Sequence, residues 1–217
     1  MANTTQLSEN AIDLIMQFEV GGTKKYYDKF LKHPSWPGGA SGVTIGIGYD
    51  LGYTSTSQFQ VDWQDKLSAN DYVRLRRVLG LKGGAGRSSI SGVRDIEIPW
   101  EAALSVFEEN TIPDYIAQTL QAFPNSENLP DDAFGALVSI VFNRGPLIDN
   151  SDRRKEMKEI RRILLRGNDE VVDAEDIRDI AAQVRSMARL WKDVKSSDGD
   201  LHDRRLAEAE LIENSLN

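Results

Sequence analysis

The sequence predicts an α+β fold in which helix predominates, and three features point to it. From residue 62 onward, apolar residues recur at spacings of three and four, the period of one helix face. Residues 41–50 instead alternate Val43, Ile45, Ile47 and Tyr49 with Thr44, Gly46, Gly48 and Asp50, the two-residue period of a strand. Ahead of them, residues 8–20 form a short helical pattern bracketed by Ser8, a capping residue, and the stop Gly21-Gly22.

The first helix carries a carboxylate in an unusual place. Ile12, Ile15, Met16 and Glu19 fall at i, i+3, i+4 and i+7, so Glu19 lies on the apolar stripe. Partial burial and the negative helix C-terminus both disfavour the ionised carboxyl, which suits a general acid. The competing reading turns Glu19 out into solvent at the helix end. Asp28 follows after eight intervening residues, beyond the glycine turn. That spacing lets the chain double back and set Asp28 on a strand opposite the helix end, giving the two carboxylates that glycosidic chemistry requires. Asp50, on the same strand face as Thr44, competes for the role, and a turn or cap role is the alternative for either aspartate.

The strand 41–50 has one large face, Val43, Ile45, Ile47 and Tyr49, fit for a core. Its other face is nearly bare, with Gly46 and Gly48 clearing a floor beside the Thr44 hydroxyl where a ligand or another backbone can approach. Trp36 stands in a Pro/Gly loop, where it anchors the loop or binds a ligand; Tyr49 is a second stacking candidate.

The helical part follows in order. Ser68 caps a helix with Tyr72, Leu75, Val78 and Leu79 inward, and the run from Gly83 to Ser89 reads as a flexible loop without the context of a phosphate-binding loop. Pro99 suits the first turn of a helix bearing Ala103, Leu104, Val106 and Phe107. Asp131 or Asp132 opens a helix whose apolar residues, from Phe134 to Phe142, cover most of its circumference, marking it as central and buried. Asn143 stands at its end, either facing ligand or capping. Ser151 caps a helix with Met157, Ile160, Ile163 and Leu164 inward and a basic outer face, best read as solvated. The last helix holds Arg204, Arg205 and Glu208.

Composition bounds the function. With 217 residues and 40% hydrophobic content the chain can bury a sizeable core. The boundaries expected are a small lobe over 1–60 and a helical lobe over 61–217, together one domain. The net charge of −8 argues against nucleic acid and gives no long-range attraction to any acidic polymer. The chain has no cysteine and only two histidines, so neither thiolate chemistry nor a His-based metal site is expected, and no cofactor is implied. No apolar run is long enough to span a membrane. Met1 to Asn10 is polar and lacks the pattern of a signal peptide, so synthesis in the cytoplasm without one is the expectation.

Glutamate, eight residues, aspartate, then Thr44-Ile45-Gly46-Ile47-Gly48 resembles the active site of the T4-type phage lysozymes, glycoside hydrolase family 24. The segment from Ala136 to Gly145 is similar to that family's central helix and its Phe-Asn-x-Gly end, and Leu201 to Glu208 to its C-terminal Arg-Arg-x-x-Glu helix. The fifteen residues between Asp28 and Thr44, and the run Gly48-Tyr49-Asp50-Leu51-Gly52, place the chain nearer the pesticin-like branch. The resemblance implies a lysozyme-like fold with a cleft between a small β-containing lobe and a helical lobe. It implies hydrolysis of the bond between N-acetylmuramic acid and N-acetylglucosamine in peptidoglycan. Glu19 would then be the general acid, with Asp28 and Thr44 handling the water. Trp36, Gly46, Gly48, Tyr49, Asp50, Asn143 and Arg204 would line the substrate site, and Arg204 would reach Glu19. An ordinary surface salt bridge from Arg204 to Glu208 is the alternative. Expected partners are peptidoglycan strands, an immunity or inhibitor protein, and a holin or secretion apparatus that delivers a monomeric enzyme to the periplasm or cell wall. A binding-only module, a lytic transglycosylase and a chitinase are the competing classes.

Overall fold

The structure, a computed structural model, describes residues 7–166, 172–192 and 199–216. Met1 to Gln6, the first part of the polar N-terminus, lie outside the described residues. The described chain is predominantly helical with one short antiparallel strand pair, the α+β class expected. It divides into two compact units, one of Met1–Phe18 with Pro113–Asn217 and the other of Glu19–Ile112. The second unit therefore runs well past residue 60. Its glycine-rich half lacks enough apolar side chains of its own, and Phe59, Trp63, Leu75, Ile96 and Ile98 complete the core with Tyr27, Val43 and Ile45.

Helix α1 (Glu9–Val20) begins as expected, with the Ala11 N–H donating to Ser8 Oγ at 3.2 Å. Its buried stripe is Ala11, Leu14 and Ile15, one position earlier than the apolar pattern predicts, and Glu19 is half-buried on its flank. Gly21 and Gly22, at φ of 58° and 66°, end it in left-handed conformations that favour glycine. Thr23 then caps helix α2 (Lys24–Phe30), its hydroxyl accepting from the Tyr26 N–H at 3.2 Å. Asp28 accordingly sits on a helix rather than on a strand. The cap, the Lys24–Asp28 pair one turn apart and the burial of Tyr27 select helix over the extended form.

The predicted single strand is in fact a tight hairpin. Strand β1 (Thr44–Ile45) pairs antiparallel with β2 (Tyr49–Asp50), Thr44 opposite Asp50 and Ile45 opposite Tyr49. Gly46 and Gly48, at φ of 57° and 69°, permit the reversal. Val43, Ile45 and Ile47 are nonetheless buried, so the apolar alternation reports burial correctly while missing the turn.

Helix α3 (Thr56–Trp63) is capped by Ser55, and α4 (Ala69–Arg76) by Ser68, whose hydroxyl accepts from the Asp71 N–H at 3.1 Å. The run expected as a flexible loop is helix α5 (Gly83–Ser89); Gly86 lies so close to Ser41 and Gly42 that a Cβ there would fall 3.1 Å from the Ser41 carbonyl oxygen. Pro99 caps α6 (Trp100–Val106), which packs on α2 and α3.

The other unit holds α7 (Ile112–Ala122), α8 (Asp131–Arg144), α9 (Lys155–Leu164), α10 (Ala174–Met187) and α11 (Gly199–Asn214). The side chains of α8 are buried from Ala133 through Val141, as a central helix requires. Helix α11 packs on α8 and α10, and α9 on α10. Each large apolar side chain removed from water here contributes on the order of 1.5–3 kcal/mol. Ser151 opens a short 3-10 turn, Asp152–Arg154, and α9 itself starts at Lys155.

Candidate active site

Glu19, Asp28 and Thr44 all belong to the unit Glu19–Ile112. Glu19 occupies the last turn of α1, half-buried, where the chain is about to reverse through Gly21 and Gly22. Asp28 is exposed one helix later, its carboxylate accepting from Lys24 Nζ at 3.0 and 3.2 Å. Thr44 is half-buried at the start of β1; its N–H donates to the Ser35 carbonyl at 2.8 Å, which ties the hairpin to the preceding loop.

Several predicted substrate contacts have structural work instead. The Asp50 carboxylate accepts from the backbone N–H of Gly42 at 3.0 Å and of Gly52 at 2.8 Å. Those two glycines touch: a Cβ on Gly42 would lie 2.4 Å from the Gly52 nitrogen. Asp50 is thus the clamp at the base of the hairpin. Gly46 is buried, and a Cβ there would meet Ala103 at 3.2 Å and Trp63 at 3.3 Å, so it makes room for core packing and not for a sugar. Gly48 is exposed at the hairpin tip.

Tyr49 packs edge-on against Trp63, with ring centroids 5.5 Å apart, and donates its hydroxyl proton to Asp62 Oδ2 at 2.5 Å. Burial, reinforced by Asp62, pushes the Tyr49 hydroxyl well above the ordinary tyrosine range. A ring engaged on an edge and at its hydroxyl is a hairpin anchor. Trp36 is also anchored, its indole N–H donating to the Ser41 carbonyl at 2.9 Å, yet its ring is half-buried beneath the Arg87 guanidinium at 5.8 Å.

Asn143 and Arg204 belong to the other unit. Asn143 is half-buried next to the C-terminus of α8, where Gly145, at φ of 76°, ends the helix. Arg204 is 1% exposed, so its bond to Glu208 is no surface salt bridge. Its Nε donates to Glu208 Oε1 at 3.3 Å and its Nη2 to Ser139 Oγ at 3.1 Å, while the guanidinium lies 5.7 Å from the Phe18 ring centroid. Ser139 Oγ and Arg205 Nη2 donate to the same Glu208 oxygen at 2.6 and 2.7 Å. Burial pulls the Arg205 guanidinium below its ordinary range, against the opposing pull of Glu208.

Asp62 is the functional-looking residue that sequence reading misses. It is 1% exposed and also accepts from Gln58 Nε2 at 2.8 Å. A signal for it does exist: Phe59, Asp62 and Trp63 share one helix face, so the aspartate stands on the apolar side. Among the described residues no histidine, aspartate and glutamate side chains gather as a metal-holding group, and no helix is long and apolar enough to cross a membrane.

A family model described as a domain of unknown function (DUF8812) matches residues 15–129, a span that takes in Glu19, Asp28, Thr44 and the whole unit that carries them. No curated protein matches the chain.

Proposed function

The chain belongs to the DUF8812 family of domains of unknown function, and we propose that it is a peptidoglycan hydrolase of lysozyme type. The observation that carries the reading is that a half-buried glutamate at a helix end, an aspartate one helix on and a threonine on a glycine hairpin all belong to one compact unit. Together they supply what glycoside hydrolysis asks of a protein: an acid for the leaving oxygen, a carboxylate for water or positive charge, and a hydroxyl to orient the water. Glu19 is the acid, Asp28 the second carboxylate and Thr44 the water-orienting group. On this reading the chain is a lysozyme-like domain, related to the T4-type and pesticin-like enzymes. The enzyme acts on the wall after delivery by a holin or a secretion apparatus, as endolysin or antibacterial toxin.

Purified Gram-negative peptidoglycan, digested by wild type and by Glu19→Gln with the muropeptides weighed, tests it. Wild type should release reducing muramic ends, and Glu19→Gln should lower the rate by about 10²- to 10⁴-fold, the usual share of a general acid. Equal digestion by both proteins would sink the assignment of Glu19. No digestion by either would favour a binding-only module. One observation favours a second chemistry: the Asp28 carboxylate is exposed and held by Lys24. A lytic transglycosylase manages with one carboxylate, and 1,6-anhydromuramic ends would identify it.

A further inference from the structure

We propose that Trp36, Tyr53, Lys82 and Arg87 form a second contact surface for peptidoglycan, with two aromatic rings for the sugar or peptide backbone and two cations for stem-peptide carboxylates. The inference rests on the reading of peptidoglycan as substrate for its choice of ligand, and on the following geometry for the site itself. Trp36 and Tyr53 flank one stretch of loop and bond to neighbouring carbonyls: the Trp36 indole N–H donates to Ser41 O at 2.9 Å, and the Tyr53 hydroxyl to Ala40 O at 3.2 Å. Helix α5 is drawn onto the same stretch, because Gly83 donates its N–H to Ser41 O at 2.9 Å and Gly86 lacks the Cβ that would collide there. That docking brings Lys82 and Arg87 onto the two rings, Lys82 Nζ 3.6 Å from the Tyr53 centroid and Arg87 Cζ 5.8 Å from that of Trp36.

Neither cation has a carboxylate partner among the described residues, so each can meet a ligand carboxylate without breaking an ion pair. Tyr53 is 63% exposed, so part of its ring is within reach of a ligand. Gly38, Gly39 and Gly84 have open space where a side chain would stand. An acidic protein of net charge −8 gains nothing at long range from an acidic polymer, and adhesion must come from a local cationic, aromatic spot. Peptidoglycan matches it, since its sugars present C–H faces to aromatic rings and its stems present carboxylates to Lys82 and Arg87. Gram-negative sacculi are the chosen occupant because they lack teichoic phosphates.

The experiment sediments the full-length Glu19→Gln protein, which cannot clear its own ligand, with purified Gram-negative sacculi. Three supports are used: intact sacculi, sacculi with carboxyls amidated by ethanolamine, and chitin. Circular dichroism accompanies each variant. Lys82→Ala with Arg87→Ala should raise the half-saturating sacculus concentration about tenfold, and amidation should do the same to the parent. Tyr53→Ala should weaken retention while Tyr53→Phe keeps it, since the ring is the contact. Arg76→Ala with Arg77→Ala, which removes equal charge from exposed positions in the same unit, should change retention less than about twofold. The proposal is overturned if the parent is not retained, if the patch variant binds as the parent does, if the charge control loses as much, or if amidated sacculi or chitin bind equally well. Digestion by wild type with unaltered retention of the patch variant would overturn the patch alone. Patch-dependent retention without release of muramic ends would leave the patch standing and remove the hydrolase reading.

Discussion

Asp62 is a buried carboxylate with no cation partner among the described residues: its oxygens take the Tyr49 hydroxyl at 2.5 Å and the Gln58 amide at 2.8 Å. Removing one donor leaves a buried acceptor short of a partner, which costs more than the bond's net worth. Tyr49→Phe should therefore destabilise the protein by about 1–3 kcal/mol at neutral pH, read from urea midpoints. The alkaline limb gives an independent check. Burial raises the Tyr49 hydroxyl above its ordinary value, and burial likewise raises Tyr27, whose hydroxyl donates to the Ile98 carbonyl at 3.0 Å. Below about pH 10 both tyrosines are neutral in either state and their contribution is fully present. Above it the unfolded chain loses protons that the native chain keeps, so stability falls by up to about 1.4 kcal/mol per pH unit for each tyrosine. Tyr49→Phe should flatten that decline above pH 10 while starting from lower stability, and an unchanged slope would contradict the pairing. At this scale the sequence is legible for residues with a single function. Ser8 and Ser68 cap as expected, whereas the motif around Tyr49 and Asp50 does not show which atoms those two side chains satisfy.

Among elements, the hairpin depends on its base as much as on its tip. Asp50 gathers the N–H groups of Gly42 and Gly52, and the two glycine backbones meet at a separation no side chain fits. Gly42→Ala would place a methyl 2.4 Å from a backbone nitrogen that cannot rotate away. It should cost about 1–3 kcal/mol or more and shift the tryptophan fluorescence of Trp36 and Trp63, which stand on either side of the hairpin's contacts. Wild-type stability in this variant would mean that the glycine contact is not part of the folded hairpin. The same short elements explain where sequence reading stops. Alternation identified Val43, Ile45 and Ile47 as buried, but a two-residue period looks the same in one strand and in a strand that turns back through Gly46 and Gly48. Helices α2 and α5 are seven residues each, too short for a periodic signal; capping by Thr23 and close packing at Gly86 decide them, and both are tertiary or local facts that composition conceals.

For the whole molecule, the informative fact is that the chain enters one unit, builds the other and returns. The central burial of α8 was legible because its apolar residues leave no polar face, whereas the division at residues 18 and 112 was not, since which helix joins which core depends on contacts far apart in sequence. Helix α1 is continuous across the division after Phe18: its first turns carry Ala11, Leu14 and Ile15 into one core, and its last turn carries Glu19 in the other unit. Gly135 of α8 is the point of closest approach, where a Cβ would fall 2.2 Å from the Ala11 Cβ. Gly135→Ala must push the two helices apart by more than side-chain adjustment allows. Loss of about 1–3 kcal/mol or more is expected, read from urea midpoints. Ala11→Gly on top of Gly135→Ala removes the opposing methyl and should restore much of the stability despite the helix cost of a second glycine, about 1 kcal/mol. A single variant that unfolds at the wild-type midpoint would mean that α1 and α8 do not meet at these two residues. Recovery in the double variant beyond what the second glycine costs would trace the loss to the Ala11–Gly135 contact.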